Sequence, residues 1–100
     1  MKEHLQFLHK AFENKIRLGI MSALMVNAQM DFNALKELLQ VTDGNLASHL
    51  KALEKEKFIH INKSFINRKP NTKYSASTLG ISAFEKHLDA LEALIKNRKS

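Results

Sequence analysis

Two groups of side chains in this 100-residue sequence have the types and spacing to recognise another molecule. The first is the polar run Thr42, Asp43, Gly44, Asn45, Ser48, His49 and Lys51. The second is a cationic cluster, Lys63, Arg68, Lys69 and Lys73. Neither is a catalytic constellation. Paired carboxylates, a glycine-rich phosphate loop and a Ser/His/Asp arrangement at recognisable spacing are missing, so no catalytic residue and no enzyme activity are expected. The chemistry on offer is hydrogen bonding and charge. Asn pairs in bidentate fashion with adenine, Ser reaches either partner of a base pair, and His donates to guanine or phosphate. Lys51, Lys55 and Lys57 suit phosphate oxygens, as does the later cluster.

The overall balance agrees with that chemistry. Sixteen Lys and Arg against ten Asp and Glu leave a formal charge of +6, which attracts polyanions, either nucleic acid or an anionic membrane surface. There is no cysteine, which excludes a disulfide framework, a thiolate metal site and a cysteine nucleophile and fits a reducing cytosol. Five histidines (His4, His9, His49, His60, His87) raise a metal-sensing alternative. His4 and His9 are five apart, off a common helical face, and His87 has only Glu85 and Asp89 near it in sequence, so no metal site and no cofactor are expected. The most apolar stretch, residues 16–28, carries Arg17 and is far shorter than the roughly 20 residues of a membrane span. With a polar amino terminus, this leads to the expectation of a soluble cytoplasmic protein with no membrane partner.

One hundred residues with 44% hydrophobic content make one domain, 1–100, with a thin core. Leu5, Leu8 and Phe12, then Ile16, Ile20 and Leu24, predict helix over residues 4–29, with Asn14 able to cap a second segment and split the run. Asn33 is expected to cap a short helix carrying Leu35, Leu38 and Leu39. Gln40 and Val41 form a tight turn, and Thr42 caps a helix from Asp43 to about Lys55. On that helix Leu46, Leu50 and Leu53 share one face, and Asn45, Ser48, His49 and Lys51 fall largely on the other. A β-branched and aromatic run from Phe58 to Ile66 predicts a strand, with Phe58 and Phe65 read as core. Residues 67–71 read as a turn and residues 72–76 as the returning strand. Ser77 or Thr78 caps a last helix over residues 78–97, with Ile81, Phe84, Leu88, Leu91 and Ile95 along one stripe.

The order of elements predicts an α+β fold, mostly α: a winged helix-turn-helix of three helices, a two-stranded β wing and a carboxy-terminal dimerisation helix. The helix-turn-helix spans about 33–56 and the wing about 58–76. Such a motif sets its second helix in the major groove. A cationic hairpin tip lies along the backbone or in the minor groove.

The residues Thr42-Asp43-Gly44-Asn45-Leu46-Ala47-Ser48-His49-Leu50 resemble the small winged-helix regulators related to the MarR and ArsR groups, in their short single-domain branch. Residues 17–24, 32–36, 53–59 and 70–74 extend the likeness to about Arg17 through Leu94. The chain departs from the pattern at Glu56-Lys57, where a small residue, often glycine, is usual. It departs again at residues 75–80, which lack the usual Leu-Thr pair and the Arg after Gly. The resemblance implies a homodimer joined by the first and last helices. It also implies DNA reading by the helix that begins at Thr42, and a small-molecule effector near the dimer interface.

The apolar stripes support the dimer independently. Leu5, Leu8 and Phe12 at one end, with Phe84, Leu88, Leu91 and Ile95 at the other, exceed what one small core can cover unless they pack on each other within one chain. A twofold dimer presents two recognition helices to half-sites about 34 Å apart, hence a roughly palindromic operator, with repression the commoner outcome. The alternative function is a winged-helix protein–protein interaction module without DNA binding. RNA is disfavoured because the polar surfaces lack stacking aromatics. Gly44 would cost about 1 kcal/mol within a helix. Either close approach of a phosphate or tight packing on the preceding helix accounts for it.

Overall fold

Asn14 divides the amino-terminal third of the chain. Its side-chain oxygen accepts hydrogen bonds from the backbone N–H groups of Ile16 (2.9 Å) and Arg17 (3.2 Å), so a helix starts at Lys15 and is not continuous with what precedes it. In the computed structural model, which describes residues 2–97, the helix expected over residues 4–29 is three pieces. A short α1 (Lys2–Leu5) and a 3-10 turn (Lys10–Phe12) precede α2 (Lys15–Val26). By sequence, Lys96, Arg98 and Lys99 suit the negative carboxyl end of the last helix; of these, Arg98 and Lys99 lie outside the described residues.

Met30–Asp31 forms a two-residue strand, β1, and Phe32–Leu39 forms α3. The cap of α3 is Asp31, two residues before the expected Asn33; its carboxylate accepts from the Ala34 N–H at 2.8 Å. Gln40 turns the chain in the left-handed region (φ 56°, ψ 51°), and α4 follows (Asp43–Lys55). The hairpin is β2 (Ile59–Ile66) and β3 (Lys69–Ala76), and α5 runs Thr78–Asn97.

Among the described residues the sheet has three strands in the order β1-β3-β2, all antiparallel. The wing expected as two strands therefore gains a third at its base, where Met30 faces Tyr74 and Asp31 faces Lys73. The turn is also tighter than expected. Asn67 and Arg68 alone bridge the strands, both in the left-handed region (φ 52° and 66°), which is the two-residue turn matching strand twist. Pro70 consequently lies inside β3, opposite Phe65. In such a hairpin the turn-closing pair Ile66–Lys69 exchanges both hydrogen bonds and the next pair exchanges none. A residue without an N–H is therefore tolerated there.

The core joins Ile20, Met21 and Leu24 of α2, Leu35 of α3, Leu46, Leu50 and Leu53 of α4, the sheet-base residues Ile59 and Tyr74, and Phe84 of α5. Phe12 closes it. Its ring stacks on Phe58 at 5.3 Å and meets Phe84 and His87 edge-on at 5.0 and 5.3 Å; each such pair contributes about 0.5–1.5 kcal/mol beyond its area. Phe12 and Phe84 are each 2% exposed, which corrects their assignment to a dimer surface. They pack on each other within one chain. Leu5 (52%), Leu88 (42%), Leu91 (37%) and Ile95 (56%) stay exposed, and Leu8 is half-buried.

Two turns fix α4, the wing and α5 to one another. The Phe58 N–H donates to the Leu53 carbonyl (3.0 Å) and the Lys57 N–H to that of Glu54 (2.9 Å), the pattern that ends a helix with one left-handed residue, here Lys57 at φ 63°. Ser77 caps α5 by accepting from the Gly80 N–H (2.9 Å), and its hydroxyl donates to the Lys57 carbonyl (2.7 Å). At Gly80 a Cβ would lie 2.1 Å from the Phe58 carbonyl oxygen, so only glycine permits this approach. Among the described residues no helix is long and apolar enough to cross a membrane.

Candidate nucleic-acid interface

The outward face of α4 is built by its cap and by three leucines. The Thr42 hydroxyl accepts from the Asn45 N–H at 3.2 Å, while Leu46, Leu50 and Leu53 bury the opposite face. That rotation leaves Thr42, Asp43, Gly44, Asn45, Ser48 and Lys51 exposed on one surface. A Cβ on Gly44 would meet nothing within 4 Å. Packing against the preceding helix is thus excluded as the reason for this glycine, and an open backbone at the second helical position remains.

Two members of the polar run are already engaged. Asp43 is paired with Lys36 of α3 at 2.7 Å, a partly exposed contact that bridges the two helices and offsets the charge of this carboxylate. Its energetic worth is at most about 1 kcal/mol. His49 is half-buried and turned toward α2, its Nδ1 3.1 Å from the Arg17 Nη1. Burial first, and then the Arg17 charge, hold the His49 imidazole below its ordinary value. A neutral ring accepting at Nδ1 is the state that this contact requires. Arg17 is fixed in turn by donating from Nε to the Ala11 carbonyl at 2.6 Å. The recognition surface therefore has a support that sequence reasoning missed, because Arg17 and His49 lie on different helices. An open cleft beside it, lined by Lys15, Ile16, Gln40, Thr42 and Asn45, brings one further cation to the edge of the polar face.

The wing does not gather its cations on one face. Residues directly opposite in an antiparallel pair share a face, and alternate residues along a strand do too. Lys63 opposes Thr72 and shares its face with Phe65 and Pro70. Asn62 opposes Lys73, and that face continues through Ser64–Asn71 to Ile66–Lys69. Lys63 and Lys73 thus lie on opposite faces, with Arg68 in the turn between the strands. Only the base of β2 is covered, Ile59 fully and Ile61 in part; from Asn62 to Ile66 every residue is exposed. Phe65, read from sequence as core, is 76% exposed. Its face of the hairpin simply outruns the body that could have covered it.

His87 belongs to the core. It is buried (4% exposed) against Phe12, and its Nδ1 accepts from the His9 N–H at 3.0 Å. No group of three or more His, Asp or Glu side chains with metal-binding geometry occurs among the described residues.

Comparison with known proteins agrees with this geometry. The chain is 36% identical over 88 residues to the uncharacterized protein MJ0432 of Methanocaldococcus jannaschii, covering 88% of this chain and 96% of that one. Its fold matches the structure of a transcriptional regulator homologue from Pyrococcus horikoshii OT3 with a TM-score of 0.89 at 28% identity, over the full length of both chains. It also matches NadR, solved in complex with 4-hydroxyphenylacetate, with a TM-score of 0.72 at 17% identity, covering 99% of this chain and 70% of that one. Residues 16–95 match the winged helix DNA-binding domain family, and this chain, with its capped recognition helix and basic hairpin, belongs to it.

Proposed function

We propose that the chain is a cytoplasmic regulator that binds double-stranded DNA sequence-specifically as a homodimer and represses transcription from a roughly palindromic operator. The observation that carries this reading is the exposed face of α4, where Asn45, Ser48 and Lys51 stand beside the open backbone of Gly44. Asn45 and Ser48 supply base-edge contacts, Lys51 and the wing cations supply phosphate contacts, and the net charge of +6 draws the duplex in. His49 acts by orienting α4 and not by reading a base.

The dimer is supported by the apolar stripe that the monomer leaves open. Leu88, Leu91 and Ile95 step along α5 by three and four residues and stay exposed, with Leu5 and Phe7 exposed at the amino-terminal end. Two copies joined there would cover both patches. A small-molecule effector belongs to the same region. The groove lined by His4, Phe7, Lys86, Asp89 and Ala90 combines an aromatic wall with one cation and one carboxylate, which suits a small polar aromatic molecule.

The test is selection of sheared genomic DNA from the source organism by the purified protein at about 150 mM salt, followed by sequencing of the retained fragments. An enriched motif with twofold symmetry and half-sites about one helical turn apart is expected. Uniform retention would reduce the protein to a non-specific binder. No retention would replace this reading with that of a protein-interaction module.

A further inference from the structure

His87 is a buried titratable side chain that the DNA-reading face does not touch. It packs against the rings of Phe12 and Phe84, and its bond from the His9 N–H (3.0 Å) begins a chain. The His9 Nδ1 accepts from the Ala11 N–H (3.0 Å), which caps the 3-10 turn. The Ala11 carbonyl accepts from Arg17 Nε (2.6 Å), and Arg17 Nη1 meets His49 Nδ1 at 3.1 Å. Four links thus run from α5, the helix that carries the exposed stripe of Leu88, Leu91 and Ile95, to the middle of α4.

Three of the four links end on an imidazole Nδ1. An imidazole accepts there only while that nitrogen carries no proton. A proton turns the acceptor into a donor aimed at the group it held, so each of these links is lost on protonation; a carbonyl acceptor would survive it. The charged surroundings do not compensate. At His87, burial and then His9 oppose a proton and Glu13 favours one; at His49, burial and then Arg17 oppose it. Glu56 of α4 stands 3.8 Å from the His9 Nε2, on the nitrogen opposite the link. Lys10 and Arg17 border the same open cleft as Glu56, and Lys86 of α5 lines a second groove beside His9.

We infer that the 3-10 turn and Arg17 form a proton-sensitive strut: neutral histidines hold α4 in its DNA-reading pose against α5, and acidification opens the strut and releases the DNA. Histidine is the side chain whose ordinary value, about 6.5, suits such a switch near neutrality. The sign separates the strut from general charge. A basic protein with five histidines gains positive charge in acid and should hold a polyanion more tightly, whereas opening the strut loosens it. The inference deepens the reading of the chain as a DNA-binding regulator and rests on it.

The experiment measures affinity for a selected DNA site between about pH 7.5 and pH 5.5 at constant ionic strength, with circular dichroism recorded at each pH. Wild type should lose about tenfold while still folded, the factor given by one histidine that titrates at its ordinary value once released. His87→Asn offers an amide oxygen near the Nδ1 position and does not titrate, so its own loss over that range should shrink to about threefold. Arg17→Met cuts the chain at its centre. It should bind about tenfold more weakly than wild type at the upper pH, keep the wild-type salt slope and lose no further affinity in acid.

Wild-type affinity that stays level or rises in acid overturns the inference while the DNA-binding reading stands. So does a loss that begins only where circular dichroism shows unfolding, or an Arg17→Met variant with the wild-type pH profile. A salt slope lowered by about one unit in Arg17→Met would assign Arg17 to a phosphate and overturn it as well. A wild type that selects no DNA at any pH overturns both.

Discussion

Arg17 of α2 and His49 of α4 are joined by a contact of 3.1 Å between guanidinium Nη1 and imidazole Nδ1, and Arg17 is locked in turn by a 2.6 Å hydrogen bond from Nε to the Ala11 carbonyl. The pair links the 3-10 turn before α2 to the middle of the helix that presents the polar face. It also sets a protonation state. A protonated His49 has no lone pair at Nδ1 to offer, and it would bring two cations together.

His87 obeys the same logic from inside the core, and together the two histidines make stability depend on pH. Burial is the main cause that lowers His87 below its ordinary value; His9 acts in the same direction and Glu13 against it. Burial, followed by Arg17, lowers His49. A histidine whose folded value lies below its unfolded value binds fewer protons when folded. Its contribution is therefore fully present above about pH 6.5 and is lost as pH falls toward the folded value. The urea midpoint should drop between pH 7 and pH 5, and His87→Gln should flatten that dependence while lowering stability at pH 7. A wild-type midpoint that is flat or rises on acidification would contradict both assignments.

Gly44→Ala should separate stability from binding. With nothing within 4 Å of the position its methyl group would take, alanine gains helix propensity without a clash, adding up to about 1 kcal/mol to the unfolding free energy. The same methyl group would stand between the start of α4 and any phosphate seated on its N–H groups, so DNA affinity should fall. A variant that is stabilised and binds as tightly as wild type would show that the glycine has no role at the interface.

Elements set by neighbouring residues could be read from the sequence. Thr42 and Asn14 cap their helices because a side-chain oxygen and the N–H groups it serves are two or three residues apart, and Leu46, Leu50 and Leu53 bury the face that their spacing specifies. Contacts between distant segments could not be read. Strand β1 exists only because Met30 finds Tyr74. Phe12 has the spacing of an exposed stripe, and only the fold surrounds it with Phe58, Phe84 and His87. His49 carries the residue type of a base reader, and only the fold brings its Nδ1 against Arg17 of α2. Phe65 has the composition of a core strand, but how far a hairpin projects past its core depends on where the other elements end.

Asn45→Ala and Arg68→Ala should fail differently. If Asn45 makes a bidentate pair, its loss relaxes preference at one base position and costs about 1–3 kcal/mol there, with the salt slope unchanged. Loss of Arg68 should weaken binding to every sequence and reduce the slope of log K against log salt by about one unit per phosphate contact removed. Binding measured across salt for the selected site and a single-position library distinguishes the two. An Asn45→Ala variant with the wild-type preferred sequence would remove that residue from the reading set.

Lys57 at the end of α4, like Arg68 in the wing turn, is a cation at a backbone position suited to glycine. It occupies the left-handed position (φ 63°) of the turn that closes α4, where glycine avoids a Cβ cost of about 1 kcal/mol or more. The turn is anchored elsewhere: Phe58 donates to Leu53, and Ser77 binds the Lys57 carbonyl. None of these contacts uses the Lys57 side chain, so Lys57→Gly should keep them and raise the unfolding free energy by about 1 kcal/mol. Gly80→Ala, by contrast, drives a methyl group into the Phe58 carbonyl and should cost about 3 kcal/mol. If the lysine is kept for its charge, the stabilised Lys57→Gly protein should bind DNA less tightly at low salt, with a shallower salt slope than wild type. Undiminished binding would mean that the strain at Lys57 serves neither the fold nor the duplex.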